Sequence, residues 1–491
     1  MASYLLSDCL EKIFSYLLEE EEELSSKECK TKNYDLTNLY SCTLVSKHWC
    51  RMSTPILYSY PFHHFRRLSY NLNDPLFPFS YKCYNYYKLI RTLLNCMFQY
   101  EMKGVNAYHV QTTLPSPTFN HISFIRGLIV DKLMFEPQEV CIYYKETWLS
   151  EHHPERISTE AAIKIMNRFV KFLFKNCDRL RILEFPYFIK SNELFDDLMD
   201  SLTKSNNGEN KISDLEEFYY SNYSNVKPIK TIKQIYSILS NNTSTLKSLY
   251  NDDINTVETA NYLSYLISKQ ENLRRIVLSK SLKRLDFPTL PNIENIEKSI
   301  FKSLKPSPNR KVDLQVLEFR NFCFANMDPN ALNSLSLLEN LRELKLINCS
   351  FIKAKKSSLH YWAVNLTRLE TFEFKPAIIT ITNSNIRESQ LDIPQEFLVQ
   401  LFRSSSVTLT KLVLDYGFDQ NIQLTKQIPL CLHSLTYLVM PETIELTPIL
   451  YSCPKLVYVL VLSIDARYSA YCRSSLDQKF SKTKFPYCSY Y

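Results

Sequence analysis

The chain has 491 residues, 45% of them hydrophobic and 22% charged, a composition that excludes whole-chain disorder and supplies a large core. Its four glycines, Gly104, Gly127, Gly208 and Gly417, stand far apart, so no Walker A loop, GxGxxG fingerprint or GxSxG elbow can form; each needs several glycines within a few residues. The net charge of +7 is spread over the sequence and offers no basic face for nucleic acid.

The opening stretch MASYLLSDCLEKIFSYLLEEEEE has no basic start and carries Asp8 and Glu11 inside its apolar part, so no signal peptide is expected. No apolar run reaches about 18 residues, the length a membrane span needs. The 14 cysteines include no CxxC. They read as reduced, buried thiols, and neither Cys42 with Cys50 nor Cys323 with Cys349 has zinc-knuckle spacing. The pairs His63–His64 and His152–His153 are adjacent and point apart on any regular element. Neither a metal nor a cofactor is expected.

Leu10, Ile13, Phe14 and Leu17 recur at helical spacing and predict a first helix over residues 8–18, with Ser7 and Asp8 supplying capping oxygens. Glu19–Glu23 form a block of five carboxylates that predicts a solvated loop. In DLTNLYSCTLVSKHWCRM, Leu36, Leu39 and Cys42 share one face and Val45, Trp49 and Met52 another. The phase shift near Leu44 predicts two short helices meeting at an angle, the second stopped by Pro55. Three helices in about 50 residues bury too little to stand alone, which points to a partner.

SDCLEKIFSYL followed by DLTNLYSCTLVSKHWCRMSTPILY resembles the F-box. Asp8, Leu10, Ile13, Phe14, Leu17, Leu39, Val45, Lys47, Trp49, Arg51, Pro55 and Leu57 fall on its pattern, which covers residues 5–60. Leu6 stands where that family usually has proline, and Tyr58 replaces the usual terminal Trp. The resemblance implies binding of a Skp-type adaptor, and through it a cullin scaffold, by Leu10, Ile13, Phe14, Leu17, Leu39, Val45 and Trp49.

Residues 61–120 read as an aromatic, proline-punctuated connector with one helix in YYKLIRTLLNCM. From 121 to 470 the string LxxLxL recurs: LRILEF from Leu180, LEEFYY from Leu215, LKSLYN from Leu246, LRRIVL from Leu273, LQVLEF from Leu314, LRELKL from Leu341, LETFEF from Leu369, LTKLVL from Leu409, LTYLVM from Leu435 and LVYVLV from Leu456. An earlier copy is read in IRGLIV from Ile125. Starts lie 21 to 41 residues apart, at and above the period of about 20–29 that leucine-rich repeats show. Helical stretches such as TEAAIKIMNRFVKFLFKN and TVETANYLSYLISKQ separate the strings. The implied unit is a short parallel strand plus a helix, stacked so that neighbours bury each other's apolar faces. The best copy, LRELKLINCSF, puts Cys349 in the turn after the strand. The predicted fold is α/β: a small N-terminal all-α F-box, then an irregular leucine-rich-repeat solenoid, then residues 471–491 as a tail or cap.

Strand alternation decides which side chains face outward. In the best repeat these are Glu343, Lys345 and Ile347, with Val316, Glu318 and Arg320 before and Thr371, Glu373 and Lys375 after. An acid followed by a base thus recurs on three successive strands. Such rows are expected to pair with each other across strands, or to present a mixed-charge stripe to a target protein, with Tyr219, Tyr250, Tyr437 and Tyr458 as anchors. The carboxylate pairs Asp196–Asp197, Asp252–Asp253 and Glu216–Glu217 read as solvated charges rather than catalytic groups, and the 33 Tyr and 29 Phe as core residues rather than base-stacking platforms. The family resemblance, closest to the large fungal F-box families, implies a non-catalytic receptor subunit of an SCF-type ubiquitin ligase. It would work in cytoplasm or nucleus and bind neither nucleic acid nor membrane. The alternative is a non-ligase scaffold of the same architecture.

Overall fold

The computed structural model describes residues 6–18, 36–66, 81–101, 118–130, 144–149, 158–186, 193–203, 210–221, 229–252, 254, 256–280, 293–305, 313–322, 324, 329–349, 351, 356–376, 393–414, 422–441 and 445–462. The Glu19–Glu23 block, His152–His153, Asp253, Cys323 and the 471–491 tail lie outside them. The chain divides into two compact units, Met1–Thr245 and Leu246–Tyr491, each built from the α/β repeat that the sequence spacing predicts.

The first unit opens with helices α1 (Ser7–Leu18), α2 (Leu36–Thr43) and α3 (Lys47–Leu57). The expected break falls between α2 and α3, where Ser46 takes an extended conformation and its hydroxyl accepts the Trp49 N–H at 3.1 Å. This is an N-cap that starts α3 at Lys47. Pro55, expected to stop this helix, lies inside it. In the last turn a proline removes only one backbone donor, and the ladder closes past it through Tyr58 N–H to the Thr54 carbonyl and the Ser59 hydroxyl to the Pro55 carbonyl.

The long helix α4 (Tyr81–Glu101) follows, then strand β1 (Gly127–Ile129), the short helix α5 (Lys145–Leu149), α6 (Thr159–Asn176) and β2 (Ile182–Phe185). Helix α7 (Glu193–Thr203), strand β3 (Glu217–Tyr220) and helix α8 (Ile229–Asn242) complete the unit. Lys211 caps the C-terminus of α6, its ammonium donating to the carbonyls of Phe174 and Lys175 at 2.9 and 2.5 Å; a cation there also meets the negative end of the helix dipole.

The second unit alternates strands β4 (Ser248–Asn251), β5 (Arg275–Ser279), β6 (Val316–Arg320), β7 (Glu343–Cys349), β8 (Thr371–Pro376), β9 (Lys411–Leu414), β10 (Tyr437–Pro441) and β11 (Tyr458–Leu462) with helices. The helices are α9 (Val257–Lys269), α10 (Ile293–Ser303), α11 (Pro329–Leu335), α12 (Lys356–Val364), α13 (Gln395–Ser404), α14 (Ile422–Cys431) and α15 (Leu446–Ser452). Within each unit neighbouring strands are parallel and pair in sequence order.

One backbone device recurs within each unit. The carbonyl of the residue just before a strand accepts two N–H groups from the next repeat. Lys247 O receives Arg274 and Arg275, Arg274 O receives Gln315 and Val316, Gln315 O receives Arg342 and Glu343, and so on to Thr436 O, all at 2.7–3.1 Å. Both carbonyl lone pairs are thereby used.

The inward residues of each string, such as Leu317, Phe319, Leu344, Leu346, Phe372 and Phe374, are fully buried. Aromatics replace leucine in this core. Phe324 stacks on Phe351 at 4.6 Å and also meets Phe301, Phe319 and Trp362. Cys349 is buried as well, and its thiol points to the Phe319 carbonyl at 3.4 Å, a contact to the preceding repeat.

Because Phe324 touches four rings at once, Phe324→Ala is expected to lower stability by about 3–5 kcal/mol. Tyr265→Ala, at an exposed aromatic, should change it by less than about 0.5 kcal/mol. Urea unfolding of the full chain, followed by circular dichroism, measures both.

Candidate functional site

Two surfaces and one buried ionic cluster merit attention. The first surface is the three-helix bundle. Leu10, Phe14 and Leu39 form its core, and Leu17, Cys42, Trp49, Met52, Ile56, Leu57 and Tyr60 pack partly buried around them. Phe14 and Trp49 meet edge to face, ring centroids 5.3 Å apart. Of the seven residues that the sequence marks for adaptor contact, Leu10, Phe14 and Leu39 therefore hold the bundle together. Leu17 and Trp49 are half-buried, and Ile13 and Val45 face out. The exposed apolar side chains nearby are Leu6, Tyr16, Tyr40 and Leu44, the last 71% exposed. Sequence periodicity cannot separate inner from outer residues in so thin a bundle, because its stripe serves both faces.

The second surface is the outward strand face of the second unit. Register places Glu318, Lys345 and Glu373 side by side on β6, β7 and β8, with Val277 and Val413 at the row's ends on β5 and β9. Ion contacts run along each of the three strands. Arg320 binds Glu318 at 2.6 Å, Lys345 binds Glu343 at 3.0 Å and Lys375 binds Glu373 at 3.1 Å. Acid and base two positions apart on one strand share a face, so each base reaches its own neighbour, while register sets Glu318, Lys345 and Glu373 next to one another across the strands. The middle of the row is closed over: the Lys345 side chain is 5% exposed, against 36% for Glu343. The row is flanked by Glu343 on one side and by the half-buried Arg320, Ile347 and Lys375 on the other. Farther along, Tyr437 and Tyr458 stack at 4.4 Å, with the Lys411 ammonium 4.6 Å from the Tyr437 ring. Burial and the neighbouring Tyr458 push the Tyr437 phenol up to about 12. Tyr250 lies near Arg320, with the guanidinium 5.9 Å from its ring. Tyr219 belongs to the first unit.

In that first unit lies a cluster that sequence reasoning missed. Glu184, at an outward position of β2, is fully buried. It is held by Arg66 at 2.5 Å and His63 at 3.1 Å. The Arg66 guanidinium also lies 4.8 Å from the Tyr219 ring centre on β3. Burial alone would raise the Glu184 carboxyl, but Arg66 and His63 outweigh it and hold it below the usual carboxylate range. In the same unit Tyr58 stacks on His121 at 4.1 Å, and burial pulls the His121 imidazole down. A usable signal was present. Gly127, one of four glycines, sits at an outward strand position, where a missing Cβ marks a close approach.

Comparison with known proteins finds no family model that matches the chain and no curated protein that resembles it. Among the described residues no helix is long and apolar enough to cross a membrane.

The shifted groups give a pH dependence. His121 is depressed from 6.5, so below that pH the unfolded chain takes up a proton that the folded chain refuses, and stability falls. Glu184 is depressed from 4.5, so its contribution is present above that pH and is lost as pH falls through its lower folded value. Acidification should thus weaken the first unit in two stages, the first starting near 6.5 and the second below 4.5. His121→Phe, which keeps the ring stack, should remove the first stage alone. Urea midpoints between pH 7.5 and 4 check this.

Proposed function

We propose that this chain is the partner-selecting subunit of an SCF-type ubiquitin ligase, an F-box and leucine-rich-repeat protein that docks on a Skp-type adaptor through its three-helix bundle. One observation carries the reading. A bundle of three short helices, too small to be stable by its own burial, leaves Ile13, Tyr16, Tyr40, Leu44 and Val45 exposed, while the residues that hold it together match the F-box spacing. Large apolar groups clustered on so small a unit mark a protein contact. The repeat strands then serve as the partner-reading part, with the edges of the Glu318–Lys345–Glu373 row and the tyrosines of β10 and β11 as contact residues.

In this reading the chain performs no bond chemistry. It raises the effective concentration of a target lysine beside a charged ubiquitin-conjugating enzyme.

The test is capture of purified Skp-type adaptor and cullin by the full chain. Ile13→Asp with Val45→Asp is expected to abolish capture while leaving the urea midpoint of the chain unchanged, because both side chains already face solvent. Phe14→Ala should instead unfold the bundle, at a cost of about 3–5 kcal/mol. Adaptor capture that survives the double aspartate variant would contradict the reading, and adaptor capture without cullin would favour a non-ligase scaffold.

A further inference from the structure

The first strand of any stacked repeat array has an open side, and the double N–H pair that precedes it needs an acceptor. In this molecule, Arg181 and Ile182 donate to Arg126 O, and Glu216 and Glu217 donate to Arg181 O, following the rule of every later repeat. For β1 no earlier repeat supplies the acceptor. The two N–H groups of Arg126 and Gly127 go to Ser59 O, at 2.8 and 3.0 Å. Ser59 lies two residues past the end of α3.

The chain beyond Ser59 continues across the outward face of the same strands. Register aligns Gly127 with Ile182 and Glu217, and Ile129 with Glu184 and Tyr219. Tyr60 and His63 lie over Gly127, where an added Cβ would stand 2.6 Å from one ring and 2.7 Å from the other. His63 and Arg66 then reach Glu184, and Arg66 covers Tyr219. Both faces of β1 and β2 are buried as a result.

We infer that residues Tyr58–Arg66 act as a stand-in for a preceding repeat. They cap the array through Ser59 O and occupy the outward face of β1 and β2 in cis, with Arg66 over Tyr219 of β3, so that the three-helix bundle is fixed to the first repeats and the outward face of β1 and β2 is closed to outside partners. The components are specific to the task. The glycine makes room, the buried carboxylate takes a guanidinium and an imidazole, and the tyrosine ring seats the guanidinium plane. Partner recognition by an outward strand face accordingly falls to the second unit. This deepens the ligase reading but rests on it only for what the bundle binds.

The experiment is hydrogen exchange of the full chain, read by mass spectrometry over residues 118–130 and, as an internal control, over β6–β8. In the unmodified chain the amides of Arg126 and Gly127 are expected to be protected. Gly127→Val, which drives a side chain into Tyr60 and His63, and Arg66→Met are each expected to speed exchange in 118–130 at least tenfold with β6–β8 unchanged. Arg66→Lys keeps the charge without the planar fork and should fall between. If Gly127→Val disturbs β6–β8 as well, the two Arg66 variants decide. Unprotected amides at Arg126 and Gly127 in the unmodified chain, or less than twofold acceleration in Arg66→Met, would overturn the inference. Adaptor capture by Arg66→Met is measured alongside. Capture retained with accelerated exchange upholds both readings, and capture absent in the unmodified chain with protected amides removes only the ligase reading.

Discussion

Everything in this fold follows from one hydrogen-bonding constraint: a parallel strand cannot leave its leading N–H groups without an acceptor. Within each unit a strand after the first solves it with the carbonyl just before the previous strand, which takes two N–H groups at once. The leucines and phenylalanines of the strings supply the burial that holds repeats together, but the carbonyl sets their spacing and parallel direction. Insertions between strings, which make the sequence period irregular, leave this contact untouched, because they fall in the helix and loops.

The same constraint shapes the N-terminal region. A bundle of three helices has too little core to stand alone, and an array of repeats has an unsatisfied first strand. In this chain the end of the bundle satisfies the array, and the array gives the bundle a buried ionic and aromatic anchor. Burying Glu184 is costly unless its partners reach it, and Arg66 and His63 do so within 3.1 Å. The two weak elements are each completed by the other. The apolar residues left over, Ile13 and Val45 with their neighbours, are those that the bundle does not need for itself.

Much of this was legible in the sequence, for reasons that can be named. The spacing LxxLxL reports strand alternation directly, so all ten strings became strands, and IRGLIV became an eleventh. The phase shift near Leu44 marked the break between α2 and α3, since two helical stripes out of phase cannot share one straight helix. Pro55 misled because a proline rule written for helix interiors does not hold in a last turn. The acid–base alternation on β6–β8 gave the face, and the structure adds an ion pair along each of the three strands, because spacing fixes which side chains share a face and not which of them touch. The Glu184 cluster left one trace in the sequence, Gly127 at an outward strand position, but its partners could not be read, because Arg66 and Glu184 are 118 positions apart and no periodicity joins them. His63 could be recognised only by what lay above Gly127.

The central proposal is that the helical bundle is a docking module with an apolar outer surface, anchored on the first repeats. Isothermal titration of a purified Skp-type adaptor into the full chain at several temperatures tests it most directly. The account predicts saturable one-to-one binding with a negative heat-capacity change, the mark of apolar surface leaving water. Absence of binding at about 100 μM, that is, a binding free energy weaker than about −5.5 kcal/mol, or binding without that heat-capacity change, would contradict it.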